Sequence, residues 1–281
     1  MQKDVNMGTR DSRWFRNQDV FQNVLLWLDN PDDIGSLAAS HPDAAECVRV
    51  ASSYPYILAE WLLLRYQRKR SYALHAAVRS DLRGIKLAQV IRFIMKERSS
   101  NKDYFMAWYP PIECHTLNTL VVREETEALS VLLVDDRWWD EQYGFRECVN
   151  NSLVIAAREN MPRMVSLLLE KGRADPNWCT IGISTSPLVE ACLSGSVRVV
   201  RELLKRSDLN PNVRTCKGTP LAASIRSIKN ERAALLLARD VRTDVNFRDS
   251  FASGEYPLEL ARRYNMPSII DALVATGANT S

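Results

Sequence analysis

The sequence is poor in the residues that enzyme and metal sites use. Among its 281 residues are only three histidines. It contains no phosphate-binding glycine loop, no Gly-x-Ser-x-Gly and no His-Glu-x-x-His. The adjacent Cys114 and His115 have no further ligands at the spacing that zinc requires. We therefore expect no enzyme activity, no cofactor and no metal site.

Long apolar runs are also missing, since no stretch approaches the roughly 18 to 20 residues that cross a bilayer. The first residues lack the apolar core of a signal peptide. The net charge is +3, with 37 Lys and Arg against 34 Asp and Glu, and no concentrated basic face is evident. We expect a cytoplasmic or nuclear protein that binds neither membrane nor nucleic acid. We also expect reduced thiols at its six dispersed cysteines, Cys47, Cys114, Cys148, Cys179, Cys192 and Cys216.

A short pattern recurs along the chain and is clearest in KGTPLAASI, at residues 217–225. The slot that Pro220 occupies in this copy recurs at positions 73, 116, 152, 187 and 257. Successive copies therefore lie 33 to 43 residues apart. A repeat of this length indicates a solenoid, in which each unit buries its apolar face only against its neighbours.

Each copy is followed by a turn residue and a second apolar cluster. The turn slot is held by Asn160, Gly195, Asn230 and Asn265 in four of the copies. Apolar residues at helical spacing on both sides of a turn predict a helix, a tight turn and a second helix that runs back. Polar stretches such as DLNPN, at 208–212, then lead to the next unit. The sequence predicts an all-α fold with about six such units over residues 67–281.

Local chemistry explains the recurring residues. The hydroxyl of Thr219 can cap the first helix of its unit, and Pro220 suits the first helical position, where no amide hydrogen is needed. Leu221 is expected in the core. Gly172 and Gly277 can take the left-handed conformation that ends a second helix.

These copies resemble ankyrin repeats, whose signature is Thr-Pro-Leu-His-x-Ala at a period of about 33 residues. The first three signature residues survive intact at Thr219, Pro220 and Leu221, and the histidine survives at His75. The resemblance covers roughly residues 69–281. It implies a solenoid that binds protein partners and carries out no chemistry itself.

The first 66 residues do not follow the repeat and predict a module of about three short helices, the last over residues 56–70. This module resembles an F-box, although the Leu-Pro pair that usually opens an F-box falls here on Arg16 and Asn17. The alternative is a helical cap that shields the first repeat. The residues that the F-box resemblance assigns to adaptor binding are Val20, Phe21, Val24, Leu28, Pro31, Ile34 and Leu37.

The F-box resemblance implies a substrate receptor of a cullin-RING (SCF-type) ubiquitin ligase. The module would bind the adaptor subunit of the ligase, and the repeats would hold a target protein at high effective concentration. The alternative function is an ankyrin scaffold or regulatory partner without ubiquitin chemistry, such as an accessory protein of a fungal biosynthetic pathway.

Two groups of residues are candidates for partner binding on the repeats. Aromatic residues concentrate in two connections and are typical of binding hot spots: Trp138, Trp139, Tyr143, Phe145 and Trp178. Alternatively, the two adjacent tryptophans pack back onto their own repeat. Arginines recur at the end of the first helix, with Arg123 one residue further along: Arg79, Arg158, Arg226 and Arg263. Stacked in a solenoid, they would form a basic stripe for an acidic partner, or else a row of solvated charges.

Overall fold

The computed structural model describes residues 55–65, 70–96, 112–134, 144–180, 185–227, 231–248 and 254–279. Within these ranges the chain forms thirteen helices and no strand. A single β-bridge there joins Thr215 and Gly218. The predicted all-α fold is confirmed.

The helices lie in two parallel rows. The first-helix row consists of α2 (Arg70–Arg79), α4 (Ile112–Val122), α6 (Phe145–Arg158), α8 (Pro187–Ser194), α10 (Pro220–Arg226) and α12 (Pro257–Arg263). The second-helix row consists of α1 (Pro55–Arg65), α3 (Gly84–Lys96), α5 (Thr126–Leu133), α7 (Pro162–Glu170), α9 (Val197–Leu204), α11 (Glu231–Ala238) and α13 (Pro267–Ala275). Each helix packs on the next helix of its own row and on its partner in the same repeat.

One hydrophobic core runs between the two rows from Ala59 to Ala278. The second helix of each of the last five repeats contributes a fully buried leucine: Leu129, Leu168, Leu203, Leu237 and Leu273. Since each of these side chains packs against adjacent helices, the core extends by stacking rather than by closing on itself.

Helix α1 belongs to this stack. A helix is predicted over residues 56–70, and the structure has it at Pro55–Arg65, packed against α2 and α3. Ala59, Leu62 and Leu63 are buried in the common core. The second-helix row therefore begins before the first recognisable repeat. The rest of the predicted N-terminal module lies outside the described residues.

The predicted helix starts are confirmed at two repeats. Thr219 and Ser186 are the N-cap residues of α10 and α8, and each side-chain oxygen accepts a hydrogen bond of 3.3 Å from the backbone amide three residues later. Pro220 and Pro187 occupy the first helical turn. These caps satisfy backbone amides that a helix leaves unpaired at its N-terminus.

Three of the predicted turn residues between paired helices have left-handed backbone conformations. Asn160, Gly195 and Asn265 have φ angles of 57°, 72° and 53°, while Asn230 lies outside the described ranges. Gly277 also has a positive φ, of 92°. The prediction for Gly172 is wrong, because Gly172 is required by close packing: a Cβ there would lie 2.6 Å from the carbonyl oxygen of Leu168.

A disulfide between Cys114 and Cys148 joins α4 to α6, with the two Cα atoms 4.7 Å apart. The expectation of reduced thiols is therefore wrong for this pair. Its cysteines are 34 residues apart in the sequence, and stacking of neighbouring first helices brings them together. In contrast, Cys192 is a buried thiol, and burial raises its pKa far above the usual range.

Candidate partner-binding surface

The four predicted stripe arginines occupy equivalent places. Arg79, Arg158, Arg226 and Arg263 are each the last residue of a helix in the first-helix row. Arg158 pairs with Glu159 at 3.0 Å and Arg263 with Glu255 at 2.8 Å, although their side chains remain 57% and 50% exposed. The four arginines therefore end equivalent helices, and acidic side chains of the same chain offset part of the charge of two of them. The guanidinium of Arg226 is partly buried and donates to the carbonyl oxygen of Lys217.

Arg123 does not belong to this stripe. Its side chain is 15% exposed. It donates hydrogen bonds to the backbone carbonyl oxygens of Val78, Ser80 and Leu82. Glu125 lies 3.7 Å from its guanidinium and also accepts from the backbone amide of Gly84 at 2.7 Å. Arg123 and the buried carboxylate of Glu125 thus hydrogen-bond the turn between α2 and α3 to the next repeat.

Two histidines meet at the start of the first-helix row. The rings of His75 and His115 contact edge to face, with their centroids 6.5 Å apart, and Thr116 Oγ1 lies 3.4 Å from His75 Nδ1. Burial, and next the charge of Arg79 and the proximity of His115, lower the pKa of His75. His75 is therefore neutral at neutral pH. The described part of the chain holds no group of three or more His, Cys, Asp or Glu side chains that could bind a metal ion.

A ladder of asparagines ties each interrepeat connection to the next. Asn177 donates from Nδ2 to the carbonyl oxygen of Asp208 at 2.7 Å, and its Oδ1 accepts from the backbone amide of Asn210 at 2.7 Å. Asn212 and Asn246 make the same pair of bonds one and two repeats later. The residues that directly follow these asparagines in the sequence are Trp178, Val213 and Phe247.

Trp178 belongs to the predicted aromatic group, and its ring is partly exposed. A hydrogen bond orients this ring. It is half-buried, and its Nε1 donates to Asn151 Oδ1 on α6 at 3.0 Å. Two further aromatic rings lie along the same edge beside cations. The guanidinium carbon of Arg214 lies 4.3 Å from the ring centre of Phe247, and that of Arg248 lies 5.8 Å from Tyr256.

Phe145, another predicted binding residue, opens α6 and is only 6% exposed. It belongs to the hydrophobic core, so its ring is not offered to a partner. The other predicted aromatic residues, Trp138, Trp139 and Tyr143, lie outside the described residues. The same holds for the predicted adaptor-binding residues Val20, Phe21, Val24, Leu28, Pro31, Ile34 and Leu37.

Sequence patterns alone do not single out Arg214 or Tyr256. The repeat gives only an approximate signal, because Arg214 and Phe247 lie in successive connections, 33 residues apart. The equivalent asparagines Asn212 and Asn246 are 34 residues apart, so the exact counterpart of Phe247 is Val213. Comparing equivalent positions would therefore have missed the cation by one residue.

Comparison with known proteins agrees with this geometry. Residues 153–249 match the family model described as Ankyrin repeats (3 copies). The crystal structure of the ankyrin repeat domain of Bcl-3, a member of the IkappaB protein family, is similar over 58% of this chain and 72% of that one, with 24% identity and a TM-score of 0.50. None of the curated proteins matches the sequence. No helix in the described ranges is long and apolar enough to cross a membrane. The chain folds as an ankyrin-repeat solenoid, a protein-interaction module, and its repeats within residues 153–249 carry the sequence pattern of that family.

Proposed function

We propose that this protein acts without catalysis, by binding a partner protein along the first-helix row and the adjoining connections. The observation that carries the proposal is Trp178, a partly exposed ring that is oriented by its hydrogen bond to Asn151. Aromatic and arginine side chains dominate the energy of protein interfaces. Because the ring of Trp178 is already held in place, little of its side-chain entropy would be lost when a partner binds.

The arginine stripe supports an acidic partner surface. Arg79, Arg158, Arg226 and Arg263 end four helices of one row, and their heads would face carboxylates along a bound protein. Exposed charges of this kind raise the association rate more than they lower the dissociation rate. The stripe would therefore guide the partner, and the aromatic rings would hold it.

Affinity capture with the full chain tests this function. Partners from cells that express the protein would be identified by mass spectrometry for the wild type and for Trp178→Ala, with Arg163→Ala on the second-helix row as the matched control. We expect Trp178→Ala to lower recovery of a specific partner several-fold, and Arg163→Ala to leave it unchanged. A set of captured proteins that is the same for all three would contradict the proposed surface.

The sequence resemblance in the first 66 residues supports a finer proposal, that the protein is a substrate receptor of a cullin-RING ligase. In this role the chain would tether a target near the ubiquitin-charged enzyme and raise its effective concentration. The role requires a cytoplasmic or nuclear location, which fluorescence microscopy of the tagged full chain would check.

The receptor proposal is tested by co-purification of the ligase adaptor. We expect the wild type to recover adaptor and cullin, and the double substitution Val24→Asp and Leu28→Asp to lose both while retaining the partner that depends on Trp178. Absence of adaptor from the wild type would instead favour an ankyrin scaffold or regulatory partner without ubiquitin chemistry.

A further inference from the structure

A groove lies on the second-helix row, between α9 and α11. Its floor is apolar and consists of Val197, Leu235 and Leu236. Four arginines line it: Arg198, Arg201, Arg232 and Arg239. Its volume is about 430 Å³, which lies in the range of pockets that bind small ligands.

Helical spacing produces this arrangement. In α9 the sequence VRVVRELL buries Val199, Val200 and Leu203, which leaves Arg198 and Arg201 on the outer side. In α11 the core residues are Ala233, Ala234 and Leu237. The groove residues Leu235, Leu236 and Arg239 lie three, four and seven positions after Arg232. This spacing places all four on one side of the helix.

Three of the four groove arginines have no carboxylate partner within the part of the chain that the structure describes. Within the described ranges, neither Arg198, Arg201 nor Arg239 takes part in any of the ion pairs. The nearby carboxylate of Glu202 binds Lys205 at 2.7 Å, and Asp240 binds Arg242 at 2.8 Å. The stripe arginines Arg158 and Arg263 differ, because each has a carboxylate beside it.

Clustered guanidinium groups repel one another, and an outside carboxylate would relieve that repulsion. Guanidinium binds carboxylate through two parallel hydrogen bonds and is weakly hydrated, so it suits a contact that is partly shielded from water. The apolar floor adds a second requirement. A ligand with charged groups alone would make no apolar contact with Leu235 and Leu236. A matching ligand therefore needs an apolar group as well as carboxylates.

We propose that this arginine groove binds an acidic segment of a partner protein, with carboxylates on the arginines and an apolar side chain over Leu235 and Leu236. The groove lies on the helix row opposite the proposed partner surface, so it gives the protein a second docking site. Two separate surfaces would let the solenoid hold two proteins at once.

The test measures fluorescence anisotropy of a labelled synthetic peptide with the full-length protein. The peptide repeats the unit Glu-Glu-Leu. We expect saturable binding that weakens at high salt. Replacing every glutamate by glutamine, or every leucine by serine, should each weaken binding by about tenfold or more.

The matching protein variant is the double charge reversal Arg201→Glu and Arg239→Glu, which should weaken binding by at least about tenfold. Its control is Arg163→Glu with Arg262→Glu, because these exposed arginines lie outside the groove and give the same change in net charge. The control should bind the peptide as the wild type does. Trp178→Ala should also bind it normally, which separates this site from the first-helix row.

The proposal is overturned if the peptide shows no saturable binding, or if both double variants lose affinity equally. It is also overturned if the glutamine peptide binds as well as the acidic one. Competition by polyphosphate or duplex DNA as effective as that by unlabelled peptide would mark a general anion site. Because the peptide substitutions leave the protein unchanged, the test holds even if a charge reversal impairs folding.

Discussion

Asn212 holds the backbone of Asp244, one repeat further along the chain. Its Oδ1 accepts a 2.8 Å hydrogen bond from the Asp244 amide, and its Nδ2 donates at 2.8 Å to the carbonyl oxygen of Arg242. One side chain thus satisfies both a donor and an acceptor of a connection that has no regular secondary structure of its own. Repetition of this contact at Asn177 and Asn246 keeps the connections in register.

Replacing Asn212 by alanine should destabilise the solenoid. The substitution leaves the amide of Asp244 and the carbonyl of Arg242 without a side-chain partner. We expect a loss of about 1 to 3 kcal/mol in the free energy of unfolding, since each intramolecular hydrogen bond contributes about 0.5 to 1.5 kcal/mol. Urea unfolding followed by circular dichroism measures this value.

Asn212→Asp is the matched control for that experiment. Aspartate retains an oxygen that accepts from Asp244, but it places its second oxygen against the carbonyl oxygen of Arg242, where the amide group donates in the wild type. Since two acceptors repel each other, we expect Asn212→Asp to destabilise the fold although aspartate has the same shape as asparagine. No loss of stability for either variant would contradict the role of the ladder.

The cap of α10 gives a second prediction. Thr219 Oγ1 accepts from the amide of Ala222 at 3.3 Å, so Thr219→Ala should lower the free energy of unfolding by about 1 kcal/mol. Thr219→Ser keeps the hydroxyl and should cost less. Chemical denaturation of both variants decides the point, and equal losses would indicate that the methyl group, rather than the cap, matters.

Much of the fold is predictable because it is set by residues close together in sequence. Capping by Thr219, the fixed φ of Pro220 and the left-handed turn at Asn160 are local properties, and each recurs in at least one other copy. Repetition then makes a weak local signal strong. The start of the helix that contains Pro220 could therefore be predicted from the residues next to Pro220 in the sequence.

Contacts between repeats are harder to predict, since they depend on how far each unit turns relative to the last. Phe145 follows an aromatic connection in sequence, yet it begins a helix and its ring enters the core. The disulfide of Cys114 with Cys148 and the stacking of Arg214 on Phe247 both join residues about one repeat apart. Neither pair occupies equivalent positions of successive copies, so the packing of neighbouring repeats, rather than the repeat spacing alone, brings the residues together.

The disulfide yields a third prediction. Without reductant, Cys148→Ala should lower the free energy of unfolding by about 2 to 4 kcal/mol, the usual effect of removing a crosslink. Peptide mapping by mass spectrometry should recover Cys114 and Cys148 in one linked fragment. Cys192→Ala is the control, because Cys192 is equally buried and unlinked. Its cost should be the same with and without reductant, whereas an equal response of both variants would contradict the crosslink.

The ion pair of Asp240 with Arg242 makes the stability of the connection between α11 and α12 depend on pH. Arg242 donates to the Asp240 carboxylate from Nε at 2.9 Å and from Nη2 at 2.8 Å, and its Nη1 also reaches the carbonyl oxygen of Arg206 at 2.6 Å. Hydrogen bonding by Arg242 holds the pKa of Asp240 below its usual range. Since the folded pKa is the lower one, the pair stabilises the fold fully above the unfolded pKa of about 3.9. That contribution is lost as the pH falls through the folded pKa.

Asp240→Asn should therefore lower the free energy of unfolding by about 1 to 2 kcal/mol at neutral pH. Its difference from the wild type should shrink as acid protonates Asp240. Urea midpoints over a series of acidic pH values measure this. The matched control is Asp208→Asn, because Asp208 pairs with Arg206 and is 52% exposed, against 14% for Asp240. Solvent screens that pair, so its removal should cost little at any pH. The difference in the free energy of unfolding between Asp240→Asn and the wild type could instead stay constant from neutral to acidic pH. That result would show that the negative charge of Asp240 does not contribute to its interaction with Arg242.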